Sequence, residues 1–127
     1  MSVSEEQLRQ LVHRFYAKVR DDEVLGPVFN AAIHDWPEHL EKLSAFWSSV
    51  MLKSGRYNGS PMAAHLRHKG TIEASMFERW LGLWGETARE MFDADGADAV
   101  IAKANRIAES LQLALFFQLE PRGTAAA

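Results

Sequence analysis

The residues able to do chemistry in this chain are its five histidines, at positions 13, 34, 39, 65 and 68. Cysteine is absent, which excludes disulfides, thiol catalysis and Cys-based zinc or iron–sulfur sites. The histidines complete no hydrolytic zinc pattern, since there is no HExxH. A di-iron carboxylate bundle needs Glu-x-x-His pairs, whereas Glu38 directly precedes His39 and no acid stands three residues before His65 or His68. Ser48 and Ser49 fall in the middle of a helical pattern, without the sharp elbow that exposes a nucleophilic serine. His13 lies at a polar edge and His34 in a connection, so both read as solvent-facing.

A haem site asks for less and for something different. It needs one neutral imidazole for the iron, a flat apolar slot, and donors or open space on the far face to govern the sixth position. His39 and His65 lie on separate helical segments, and either could supply an imidazole. Tyr16 and Trp80, on two further segments, carry an O–H and an N–H on apolar bodies. Phe15, Phe29, Phe46, Trp47 and Trp84 could line a slot with Leu43, while Lys42 could reach a carboxylate at its rim. Spacing permits this set without requiring it: a lone His on an apolar face is ordinarily a hydrogen-bonded core residue, and aromatics ordinarily pack.

These residues must be held by helices, for apolar residues recur at helical period along most of the chain. Ser4 and Gln7 form a capping-box pattern before a helix over about 5–20, with Leu8, Leu11, Val12, Phe15, Tyr16 and Val19 in phase. Leu25 to Phe29 reads as a turn or short helical piece that carries Phe29 inward. The chain is organised around the helical stretch from Trp36 to Lys53, with Asp35 as N-cap, Pro37 in its first turn and Gly55 as the left-handed stop. Asn58–Gly59 is a turn signal, and Ser60–Pro61 starts a short helix to about His68. A further helix runs from about Glu73 to Phe92 with Met76, Phe77, Trp80, Leu81 and Trp84 in phase. Asp93 to Gly96 reads as a connection, and a last helix covers about 97–119. Its inner side carries Val100, Ile101, Ala104, Ile107, Ala108, Leu111 and Leu115, and residues after Pro121 form a frayed tail.

With 127 residues and 47% hydrophobic content, the chain is expected to be one all-α domain over 1–127, with about 120–127 flexible. Its 14 basic and 17 acidic residues are interspersed and net to −3, which argues against nucleic acid as a partner. No apolar run reaches the length of a membrane span, and residues 1–10 show no signal-peptide pattern. A cytoplasmic protein with no membrane partner is the resulting expectation.

Taken together, FYAKVRDDEVLGPVFNAAI, DWPEHLEKLSAFWSSVML, GRYNGSPMAAH and MFERWL resemble the truncated haemoglobins, specifically their group III branch. The combination is specific and covers most of the chain. It implies a shortened globin fold, a two-over-two helical sandwich around a noncovalent haem b (iron protoporphyrin IX). By the same resemblance His65, the last residue of PMAAH, is the proximal iron ligand. Tyr16 and Trp80 become distal donors, His39 a distal histidine able to swing, Phe29 a packing partner of the haem and Lys42 a propionate partner. The segment between His65 and Trp80 is about one residue longer than in typical members and lacks their prolines, which makes His68 the alternative ligand.

Oxygen, carbon monoxide, nitric oxide and, in the ferric form, cyanide are the implied ligands. Strong distal donors retain oxygen rather than deliver it, which suits nitric oxide dioxygenation or peroxidase-like chemistry supplied by a separate reductase. No segment looks like a flavin or nicotinamide module, so enzyme status is left open. The rival reading, from a different class, is a cofactor-free α-helical interaction domain in which all five histidines are structural.

Overall fold

A computed structural model describes residues 3–57 and 72–116. The expected short helix at 61–68, both of its histidines and the tail lie outside the described residues. Five helices occupy the rest: α1 Glu5–Asp21, α2 Leu25–Ala32, α3 Trp36–Leu52, α4 Ala74–Met91 and α5 Ala94–Phe116. No strand occurs among the described residues. The helices sort into two pairs. α1 packs on α3, α4 packs on α5, and α1 also crosses α4, with α2 lying across α1.

Local chemistry accounts for most of the helix ends. Ser4 Oγ accepts from the Gln7 N–H at 3.1 Å while Gln7 Oε1 accepts from the Ser4 N–H at 3.0 Å, so two otherwise unpaired donors at the start of α1 are satisfied reciprocally. Asp35 caps α3 through Glu38 N–H at 3.1 Å, with Pro37 in the first turn. Asp22 does two things at once. Its carboxylate accepts from the Val24 and Leu25 N–H groups at 3.0 and 2.9 Å, starting α2, and from Arg79 Nε of α4 at 2.7 Å. The Arg79 guanidinium, helped by those two backbone donors, holds this carboxyl below its ordinary range.

Two expectations from sequence need correction, and a third is resolved between its alternatives. Residues 25–29, read as a turn or short helical piece, open a complete helix, α2. It sits so close to the end of α1 that a Cβ on Gly26 would come within 2.7 Å of the Arg20 carbonyl oxygen, which is why a glycine stands there. The left-handed stop of α3 falls on Lys53 (φ 58°), two residues before Gly55, with its N–H on the Ser49 carbonyl. Finally, Asp93 to Gly96 is not a connection. Asp93 Oδ1 accepts from the Gly96 N–H at 2.8 Å, so α5 begins at Ala94 directly behind its cap.

The core is centred on α1, whose Leu8, Leu11, Val12, Phe15 and Val19 are fully buried. Phe15 meets Trp84 edge-on at 4.9 Å, and Trp84 stacks on Trp47 of α3 at 4.4 Å. The Trp84 indole N–H donates to the Val100 carbonyl at 3.1 Å, so this ring leaves no polar atom unpaired in an apolar interior. At the surface, Lys18 spans from α1 to Glu86 and Glu90 of α4 at 2.7 and 2.9 Å. Buried Ser48 donates to Glu5, which also pairs with Arg56, joining the start of α1 to the segment after α3.

Candidate functional site

A cavity of about 720 Å³ opens between α3 on one side and α4 and α5 on the other. From α3 come Glu38, His39, Lys42, Leu43, Phe46 and Trp47, a spacing of one and three residues that keeps them on one helical stripe. Facing them are Met76, Phe77 and Trp80 of α4 and Ile107, Ala108 and Leu111 of α5. Tyr16 of α1 and Phe29 of α2 close one end, with Tyr57 and Ile72 also on the wall. The size falls within the range of pockets that enclose small-molecule ligands and cofactors.

Tyr16 puts a buried hydroxyl-bearing ring on this wall. It is 4% exposed, its ring lies edge-on to Phe15 at 4.6 Å, and it leans on Phe29 at 5.8 Å. Burial pushes the phenol up to about 12, only partly offset by a hydrogen bond from Trp80. The hydroxyl is therefore protonated at neutral pH and available as a donor. Trp80 is positioned from behind: its ring is within 5° of parallel to Trp84 at 5.7 Å, and Phe15 meets it edge-on at 5.3 Å.

The mouth is more polar. His34, Asp35, Glu38 and Lys42 surround it, with Lys42 exposed, while His39 is half-buried on the wall. His13, by contrast, stays on α1 beside Arg9, with Arg9 Nη1 3.3 Å from its Nε2.

Tyr16, Phe29, His39, Lys42, Leu43, Phe46, Trp47 and Trp80 thus share a single cavity. Phe15 and Trp84 do not line it. Both are fully buried one layer back, so their expected place as slot walls is corrected to that of supports under Tyr16 and Trp80. His65 and His68 lie outside the described residues. Sequence reading placed Met76, Phe77, Ile107, Ala108 and Leu111 on inward faces without separating them from the core. Period alone holds no signal that could do so, because a cavity wall and a packed wall have the same spacing.

Helices in two packed pairs, around a largely apolar cavity with a buried phenol and an indole on its wall, define a small α-helical protein with a cavity of ligand size. The comparisons make this specific. A group 3 truncated hemoglobin of Campylobacter jejuni is 34% identical over 119 residues, spanning 91% of this chain and 93% of the relative. The crystal structure of a group III truncated hemoglobin from Campylobacter jejuni superposes with a TM-score of 0.83 at 32% identity, covering 94% of this chain and 97% of that one. No protein-family model matches the chain. The chain belongs to the truncated haemoglobins, in their group III, and its fold is the truncated globin fold.

Proposed function

We propose that the cavity holds a noncovalent haem b and that the protein reversibly binds oxygen and other diatomic ligands there. The observation that carries this reading is the pairing of a largely apolar cavity of about 720 Å³ with a buried, protonated Tyr16 on its wall, in a truncated haemoglobin. The residues present fit such a group. Leu43, Phe46, Phe77 and Leu111 are apolar surfaces for a flat macrocycle, and exposed Lys42 stands at the mouth where propionates need a cation. His65 is the proposed iron ligand and His68 its alternative. The proximal imidazole would have its tautomer set by a carbonyl partner on its second nitrogen.

When bound, the haem supplies a metal centre able to take oxygen, carbon monoxide or nitric oxide in the ferrous form and cyanide in the ferric form. The chain governs what stays there. Tyr16 keeps its proton across the physiological range and offers it to a polar ligand, and Trp80, whose single N–H steadies the phenol, would become a second donor by turning that N–H to the ligand. Each donor would contribute about 1–1.5 kcal/mol of net stabilisation, and the two together would slow oxygen loss by roughly 30- to 150-fold. A protein that holds oxygen so firmly is better suited to nitric oxide dioxygenation or peroxidase-like turnover than to delivery. Electrons would come from a separate reductase in the cytoplasm. Among the described residues no helix is long and apolar enough to cross a membrane.

Hemin added to the purified chain tests the reading. A stoichiometric Soret band and a red protein are expected, and a colourless protein with hemin left free in solution would overturn it in favour of a cofactor-free interaction domain. His65→Ala should abolish the native ferrous spectrum; an unchanged spectrum would move ligation to His68.

A further inference from the structure

We infer that the stacked tryptophans Trp80, Trp84 and Trp47 are an electron relay that draws a one-electron oxidation away from the cavity wall and delivers it to Tyr57. This goes beyond ligand binding and is a property of the chain itself, open to test without haem. Three of the four tryptophans stand in one column. Trp80 lies on Trp84 at 5.7 Å with planes 5° apart, and Trp84 lies on Trp47 at 4.4 Å with planes 23° apart. Every other ring contact between described residues is edge-on or tilted, so ring faces overlap only between tryptophans. Packing alone does not ask for this, since edge-on contacts fill a core equally well, as Phe15 does against Trp80 and Trp84. Face overlap matters to electron exchange, because the orbitals that give and take the electron lie above and below the ring, and indole is among the side chains most easily oxidised.

The two ends of the column differ. Trp80 and Trp47 both line the cavity, but Trp80 is half-buried and Trp47 is 1% exposed, so an oxidant in the cavity meets Trp80 first. Beyond Trp47, Phe46 touches it edge-on at 5.6 Å and touches Tyr57 at 5.3 Å, leaving a single unoxidised ring between the column and a phenol. The Tyr57 N–H donates to Ser49 Oγ at 2.9 Å, which fixes this residue beside α3. Proton chemistry selects the Tyr57 end. A phenol gives up its proton when it is oxidised, and half-buried Tyr57 can pass it to water. Tyr16 accepts the Trp80 N–H, and its burial holds its own proton in place. The Trp84 N–H rests on the Val100 carbonyl, which takes no proton, so Trp84 passes the electron on with its N–H intact. Trp80 gives one electron to the oxidant, Trp84 refills Trp80, Trp47 refills Trp84, and Tyr57 refills Trp47 across Phe46 while its hydroxyl proton goes to water. The net change is a reduced oxidant, a neutral phenoxyl radical on Tyr57 and one released proton, with all three tryptophans as they began.

The oxidant in the test is the azidyl radical, made by pulse radiolysis in azide buffer with the full chain, its helical fold first verified by circular dichroism. Azidyl takes an electron from indole in preference to phenol and becomes azide. Indolyl absorption is expected to decay as phenoxyl absorption grows, at a rate independent of protein concentration. Tyr57→Phe should lose that growth. Trp84→Phe and Trp47→Phe, which keep a ring in the column but not an oxidisable one, should each slow it about ten-fold or more. Growth that persists in Tyr57→Phe, growth lost in Tyr16→Phe alone, or an unchanged rate in both column variants overturns the inference. Should a column variant fail to fold, radical trapping in the parent decides. With a nitroso spin trap present, peptide mapping should find adducts on Tyr57, and adducts confined to Trp80 overturn the relay. Failure of the chain to take up hemin would strike the haem reading and leave this result standing.

Discussion

Trp80 and Trp84 stand one turn apart on α4 with nearly parallel rings, yet one lines a cavity and the other closes a core. Around Trp84 the molecule is packed on every side, with Phe15 edge-on, Trp47 stacked and the Val100 carbonyl taking the indole proton. Around Trp80 one side is equally supported, by Phe15 and Trp84, and among the described residues the ring also lines the cavity. The same division separates Phe15, fully buried, from its neighbour Tyr16, whose ring reaches the cavity. The packed region serves as a platform that holds two polar side chains on the cavity wall. Under the proposed function, donors held this way would give up little freedom when a ligand arrives, which is how preorganised groups become effective.

The contrast can be broken most directly at Trp84. Trp84→Ala should cost about 3–5 kcal/mol in urea unfolding, because its surroundings cannot collapse to fill the void. Trp80→Phe, already beside open space, should cost about 1 kcal/mol or less. Equal losses at the two positions would mean that core and cavity are not energetically distinct.

Tyr16 offers the next test, through pH. Its folded-state value is pushed up to about 12 from an ordinary value near 10, so the folded protein keeps a proton that the unfolded chain releases. Stability from this group is complete below pH ~10 and is lost as pH rises toward ~12, by at most about 3 kcal/mol. Unfolding of the parent and of Tyr16→Phe should therefore converge in stability on alkaline titration through that window. Parallel curves would show that the phenol is not buried.

Distal donors act on ligands by smaller amounts. In the haem-loaded protein, Tyr16→Phe and Trp80→Phe should each speed oxygen dissociation by about 5- to 12-fold, the equivalent of one hydrogen bond, and carbon monoxide dissociation much less. Comparable acceleration for both gases in stopped-flow displacement would remove the donor role from these two residues while leaving the cavity intact.

The smallest expected effect lies far from the cavity. Asp22→Ala removes the acceptor of the Val24 and Leu25 N–H groups at the start of α2 and the partner of Arg79, and should cost about 1 kcal/mol at neutral pH. Since the folded state holds this carboxyl below its ordinary range, its contribution is present above that range and fades as the solution is acidified through it. The parent and the variant should accordingly draw together in acid.

How legible this was differs from helix to helix. α1 followed from its sequence because the Ser4–Gln7 box and the apolar period are local, and both appear as read. α2 followed only in part: its start read as a turn or short helical piece, and what settles the full helix is the Asp22 carboxylate before it and the close approach of α1 that only a glycine permits. The start of α5 was missed for a related reason. Asp-Ala-Asp-Gly reads equally as a turn or as a capped first turn, and the side chain of Asp93 chooses the second. At the site, Tyr16, His39 and Trp80 were picked out by type, whereas Ile107, Ala108 and Leu111 of α5 carried no mark distinguishing wall from core.

By itself the sequence determined helices, their inward faces and the identity of the polar residues on those faces, because capping and periodicity act within a few residues. Only the tertiary structure decided which inward residues meet one another and which meet a space. That choice depends on how α3, α4 and α5 cross, and crossing is settled by volumes and close approaches between segments far apart in the chain. Phe15 and Tyr16 are adjacent in sequence and both buried, but packing against Trp84 made one a support and the opening beside Trp80 put the other on the cavity wall.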